Sequence, residues 1–364
     1  MKKLLYIFPE HTASSHTHFS YIPPFLDYVG GKVDITLIIE RGEKPDLKHV
    51  RKINMCSRLS FIRSVQLVAY ILRARLSGIS VCYVHYSFMS AFIASLIFRT
   101  TGGRVLYWNC GLPWLYERSI VREVFEGMVY KMVTHVVTGT EKLADHYAEQ
   151  YLIPRSKVLV MPNWIDVRQT RSLAETENRE RAREKIGIPK NAAIILFAHR
   201  LSKRKGAHYL PDIARNLPEN SYLIVLGDGP LRIDIERDIE QAGAAKTVRF
   251  FGWQPHDSVI KFMSIADVFI MPSDEEGFPH VLLEAMALGM RFVVSGVGGV
   301  PEIVPEVAQS MVIPKGDVHG FSQGITLLLG LPQPLLDVWS SETELAARRY
   351  GIERVAGRFI EIVS

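Results

Sequence analysis

The sequence predicts an α/β protein of two doubly wound parallel-sheet domains facing a central cleft. Three observations predict it. Short apolar runs alternate with amphipathic helical stretches along both halves of the chain, as expected of parallel strands covered on both faces. A charged stretch, VRQTRSLAETENRERAREK, follows Asp166 and separates the two alternating series. The chain has 364 residues, 48% of them hydrophobic, enough for two ordinary cores.

The first half opens with MKKLLYIFPEHT, whose apolar run is too short for a signal peptide and reads as a strand at 4–8. Further strands are expected at 33–39, 81–85, 105–108, 135–138 and 158–161, and helices at 21–28, 61–76, 88–98, 118–133 and 141–151. The stretch after Asp166 reads as linker plus a first helix. Strands then recur at 193–197, 222–226, 247–251, 268–271, 292–295 and 310–313. A closing helix at 350–363 carries Ile352, Val355, Phe359 and Val363 on one face. The domains expected are 1–165, 166–340 and a C-terminal segment, 341–364. In such sheets a ligand lies beyond the carboxyl ends of the strands.

Composition narrows the function. Three cysteines, Cys56, Cys82 and Cys110, lack metal-ligand spacing and fit a reducing, cytoplasmic setting. Residues 76–98 lack charge, but five serines, Gly78 and His85 favour a buried strand feeding a helix over a membrane span. No acid occurs between Asp46 and Glu117, while nine bases do. Within that zone LSFIRSVQLVAYILRARLSG reads as a basic amphipathic helix, a candidate for contact with an anionic membrane on its inner face. The alternative is a core-facing helix with solvated arginines. No nucleic-acid-binding motif accompanies the charge.

The most informative segment is SDEEGFPHVLLEAMALGMRFVVSGVGGVPEIV, residues 273–304. Glu276 and Glu284 bracket seven residues in which a loop turns into a helix. Pro279 suits the first helical turn, and Gly289 suits a left-handed C-terminal cap. The free backbone N–H groups between Gly277 and His280 would leave a helix start open to an anion. One carboxylate near a reaction centre and one further along for hydroxyls, flanking a phosphate cradle, suit a nucleotide sugar. The plainer reading is two solvated charges on a surface helix.

The segment resembles the donor-site signature of glycosyltransferase family 4, retaining enzymes of the GT-B fold, with its Glu-x7-Glu spacing and GFP loop. Upstream, FAHRLSKRKG (197–206) is similar to the family's strand, basic loop and Lys-Gly element, with His199 where the family has Gly. LIVLGDGP (223–230), VRFFGW (248–253), ADVFIMPSDEEGFP (266–279), PNWID (162–166) and the closing helix follow the family's order. The resemblance covers about half the chain. It implies two Rossmann-like domains, the first for the acceptor and the second for the donor, with the last helix crossing back to the first. It also implies a sugar transferred from a nucleotide diphosphate to a glycan or lipid-linked acceptor, as in cell-surface polysaccharide synthesis, without metal or other cofactor.

Residue by residue, the resemblance implies that Arg200 and Lys205 neutralise the leaving diphosphate. Glu276 contacts the donor sugar and Glu284 holds the ribose. Gly277, Phe278, Pro279, Asp228 and Gly299 complete the donor site. Arg200, Lys205, Asp228 and Glu276 each follow a predicted strand end. On the acceptor side the family often places a histidine where this chain has Asn109 and Cys110. Asn109, His16, His18 and His85 are therefore the acceptor-side candidates, each with a structural alternative. Tyr107, Trp108, Trp114 and Tyr116 suit either sugar stacking or helix packing. Two other functions suit the same residues: a sugar-nucleotide epimerase, and a non-catalytic nucleotide-sugar binding protein.

Overall fold

A computed structural model describes residues 1–12, 19, 21–50, 52–175 and 178–364. The chain forms two compact units, Met1–Pro162 with Glu353–Ser364, and Asn163–Ile352.

The first unit runs β1 (Lys3–Phe8), α1 (Ile22–Gly30), β2 (Asp34–Ile39), β3 (Lys52–Met55), α2 (Ser60–Leu76), β4 (Val81–His85), α3 (Phe88–Arg99), β5 (Arg104–Trp108), α4 (Ile120–Met132), β6 (His135–Thr138), α5 (Glu141–Tyr151) and β7 (Val158–Val160). Its sheet is parallel throughout, in the order β3-β2-β1-β4-β5-β6-β7. Strand β3 is absent from the sequence expectation. It is a four-residue edge strand with no fully buried residue, so its apolar pattern is weak. Residues 76–98 form β4 and α3, and no helix among the described residues is long and apolar enough to cross a membrane.

The second unit runs α6 (Val167–Ala174), α7 (Arg179–Lys185), β8 (Ala193–Ala198), α8 (Leu210–Arg215), β9 (Ser221–Leu226), α9 (Arg232–Gln241), β10 (Val248–Gly252), α10 (His256–Ile265), β11 (Val268–Met271), α11 (His280–Ala287), β12 (Arg291–Ser295), α12 (Val300–Ile303), β13 (Val312–Ile313), α13 (Val318–Leu329) and α14 (Gln333–Arg348). This sheet is also parallel, in the order β10-β9-β8-β11-β12-β13. Helix α15 (Ile352–Val363) closes the chain.

Three expectations need correction. The stretch after Asp166 holds two helices, not linker plus one. Asp166 and Asn178 cap them, accepting from Gln169 N–H and Arg181 N–H. Pro279 sits at the N-cap of α11, one place before the first helical turn. The last strand shrinks to Val312–Ile313, because Glu306–Met311 winds into a 3-10 turn.

Both sheets reverse strand order once, at β1/β4 and at β8/β11. Such switch points leave a crevice beyond the strand ends where ligands bind. The Phe359 ring of α15 packs on Tyr6, Phe25 and Tyr83, inside the core of the first unit.

Candidate functional site

The crevice at β8/β11 gathers two oppositely charged loops of the second unit. Chain leaving β8 forms the basic loop His199–Gly206. Chain leaving β11 forms the acidic loop Pro272–Gly277. The two close on one another in register. Arg204 carbonyl accepts from both Asp274 N–H and Glu275 N–H. Arg204 Nε donates to Glu275 at 3.0 Å, and Lys205 Nζ lies 2.9 Å from both oxygens of Glu276.

Glycines permit this approach. A Cβ on Gly206, at φ +65°, would lie 1.7 Å from the Pro272 carbonyl oxygen. A Cβ on Gly298, at φ +54°, would lie 1.6 Å from the Glu276 carbonyl oxygen. Next to it, Gly299 N–H donates to Gly277 carbonyl at 3.2 Å. The Gly298–Gly299 turn thus abuts the loop that carries Glu276.

Glu276 is buried, 5% exposed, and fully engaged. Besides Lys205 it accepts from Ser273 Oγ at 2.7 Å and lies 3.4 Å from His199 Nε2. Arg200 N–H donates to His199 Nδ1 at 3.0 Å, which leaves the ring proton on Nε2, towards the carboxylate. Burial alone would push the Glu276 carboxyl up; Lys205 and His199 outweigh it and hold the group well below the usual carboxylate range. Arg200 itself is exposed on the same loop.

Glu284 lies on α11, buried at 3% exposure, 2.9 Å from His256 Nε2 at the start of α10. That hydrogen bond raises the imidazole pKa above its ordinary value, against the opposing effect of burial. Phe278 is buried with its ring against Tyr350, and its carbonyl accepts from Asn163 Nδ2 at 2.7 Å. Asp228 is exposed; its carboxylate accepts from Gly229 N–H and faces Arg232 at 3.8 Å. No bond joins its side chain to the Lys205–Glu276 pair among the described residues. Its carbonyl accepts from Leu201 N–H, which ties its turn to the basic loop.

The sequence reading overlooked His256 and Ser273. Ser273 could have been found three places before Glu276 in the same loop. Nothing in the local spacing links His256 to Glu284, 28 positions later on another element. No group of three or more His, Cys, Asp or Glu among the described residues is placed to hold a metal ion.

In the first unit, His85 ends β4 and is buried. Its Nδ1 lies 2.9 Å from Tyr6 Oη, and its ring stacks on Trp108 with centroids 4.1 Å apart. The next residue, Tyr86, has φ +60°, a strained value for a side chain of that size. Asn109 is buried in loop-holding bonds: Nδ2 donates to Tyr130 Oη at 2.8 Å and Oδ1 accepts from Gly111 N–H at 2.9 Å. Tyr107 and Trp108 are buried, and the half-buried Trp114 packs on Tyr147. Tyr116 N–H donates to the Pro113 carbonyl at 3.2 Å, closing a 3-10 turn at Pro113–Leu115. His16 and His18 lie outside the described residues.

The sequence and the fold are similar to those of known proteins. Residues 178–345 match the family described as glycosyl transferases group 1. The chain is 28% identical, over 61% of its length and 58% of the relative's, to a 2-deoxystreptamine glucosyltransferase of Streptomyces kanamyceticus. It is 34% identical, over 50% of its length and 47% of the relative's, to an uncharacterized glycosyltransferase of Methanocaldococcus jannaschii. These matches span about half the length of the curated relatives. Among solved structures, HepE of Anabaena in complex with UDP superposes with a TM-score of 0.81 at 16% identity, covering 100% of this chain and 99% of HepE. WaaG, a glycosyltransferase involved in lipopolysaccharide biosynthesis, gives 0.73 at 16% identity, covering 99% of each chain. At that identity the likeness establishes the fold.

Proposed function

We infer that this chain transfers a sugar, with retained anomeric configuration, from a nucleotide diphosphate sugar to a glycan or lipid-linked acceptor: residues 178–345 match the glycosyl transferases group 1 family, the chain has the GT-B fold, and opposite charges pair at the β8/β11 crevice. Cell-surface polysaccharide synthesis is the corresponding role. The observation that carries this reading is the Lys205 ammonium 2.9 Å from both oxygens of a buried Glu276.

The chemistry follows from charge placement. Departure of a nucleoside diphosphate leaves positive charge on the sugar and negative charge on the phosphate oxygens. A carboxylate kept ionised by Lys205 and His199 stabilises the first. Lys205 has a third N–H left for phosphate, and Arg200 presents an exposed guanidinium fork on the same loop. The start of α11 adds partial positive charge. Glu284, oriented by His256, suits the ribose hydroxyls. The acceptor meets the first unit, with His16, His18, His85 and Asn109 as the candidates there. No metal is required for charge neutralisation in this scheme.

A thermal-shift screen against UDP-, GDP- and ADP-sugars tests the reading, starting from UDP-glucose because HepE has been solved with it. Arg200→Ala is the clean variant, since the side chain is exposed. A stabilising donor whose shift falls in this variant supports the assignment; an undiminished shift removes Arg200 from the phosphate site. Product NMR then separates transfer from epimerisation, because an isomerised nucleotide sugar made without acceptor would replace the transferase reading.

A further inference from the structure

Helix α2 buries one stripe and exposes another. Leu67, Ile71 and Ala74 face the core. Phe61, Val65, Val68, Leu72 and Leu76 recur at helical spacing and are exposed, Phe61 at 82% and Leu76 at 79%. A helix that only covers a sheet needs one apolar stripe, with polar residues opposite it. Among the described residues, nothing buries this second stripe.

The exposed face continues sideways. Helix α3 packs beside α2, and α4 beside α3 through Phe88, Phe92 and Phe125. On α4, Ile120 and Val121 are 79% and 80% exposed, and Val124 lies one turn on. Apolar surface of this extent on neighbouring helices marks an interaction face.

Charge selects the occupant. Helices α2 and α3 carry no acid, and Arg58, Arg63, Arg73, Arg75 and Arg99 lie on or beside them. Glu123 is the exposed acid on α4. A second copy of this face would bring arginines against arginines. An anionic bilayer offers acyl chains to the apolar stripe and phosphates to the guanidinium forks.

We propose that the outer face of α2, extended by α3 and α4, seats the first unit in the plane of an anionic phospholipid bilayer, with Phe61, Val65, Val68, Leu72 and Leu76 entering the acyl boundary. This surface shares no residue with the β8/β11 crevice, so its failure would leave the donor-site reading standing.

Vesicle flotation of the whole chain tests it. The protein floats with phosphatidylcholine vesicles containing about one-third phosphatidylglycerol and stays behind with phosphatidylcholine alone. Val65→Ser with Leu72→Ser lowers the floated fraction about tenfold, with unchanged circular dichroism because both positions are exposed. Arg58→Gln with Arg73→Gln and added salt weaken flotation in the same direction. No flotation with the anionic vesicles, or flotation that ignores Val65→Ser and Leu72→Ser, overturns the proposal. So does a dimer that these two substitutions disperse while vesicles stay unbound.

Discussion

Lys205 Nζ sits 2.9 Å from both carboxylate oxygens of Glu276, a residue 71 positions away on a separate loop. The pair is nearly dry: the side chains are 16% and 4% exposed. Removing one member therefore strands the other, and the consequences are measurable.

Lys205→Ala leaves a buried carboxylate with His199 and Ser273 alone. The variant loses about 3 kcal/mol in urea denaturation. Adding Glu276→Gln recovers part of the loss, a coupling of roughly 2 kcal/mol in the double-mutant cycle. Additive losses would show that the two groups do not depend on each other.

Glu276→Gln keeps the shape of the site and removes the charge. Donor still stabilises this variant in a thermal-shift assay, while turnover falls by about 10²- to 10³-fold. Near-normal turnover would take Glu276 out of the chemistry.

The same carboxylate shapes acid stability. Its folded pKa lies below its ordinary value of 4.5. Its contribution is thus present above about pH 4.5 and lost as pH falls towards the folded value. The native chain loses stability more steeply below pH 4.5 than Glu276→Gln does, read from melting temperatures across that range. Parallel profiles would contradict the ion pair.

His256 has the opposite sign. Its folded pKa lies above the ordinary value of 6.5, raised by its hydrogen bond to Glu284. The stability it contributes is full below about pH 6.5 and is lost as pH rises through the folded value. The melting-temperature gap between the native chain and His256→Gln narrows as pH is raised from about 6 to about 9. A constant gap would mean that the charge on His256 is irrelevant to the fold.

Gly298→Ala drives a methyl group into the carbonyl of Glu276, at 1.6 Å. Gly78→Ala is the matched control, with φ +88° and nothing within 4 Å. The control costs about 1 kcal/mol, from the left-handed backbone alone. Gly298→Ala costs several times as much by urea denaturation; equal losses would show that the loops can separate freely.

Much of this architecture was readable from the residues. Strands such as β4 and β11 are continuous apolar runs, and the Glu276–Glu284 spacing placed both carboxylates around the start of α11. What stayed hidden depends on tertiary approach. His256 meets Glu284 only because α10 and α11 converge, and the pairing of Arg204 with Glu275 and Lys205 with Glu276 needs β8 beside β11. Helices α6 and α7 were masked by their polar surfaces, although Asp166 and Asn178 signalled their starts. Asn109 and His85 shared the positions expected of acceptor-side residues, but residue type alone could not show that one holds a loop and the other stacks on Trp108.

Phe359 belongs to the core built by Tyr6, Phe25 and Tyr83, yet Asn163–Ile352 is translated before it. A ribosome therefore releases the first unit's early strands long before their last packing partner exists. The core of the first unit is therefore a non-local assembly, and its final packing cannot precede synthesis of the whole second unit.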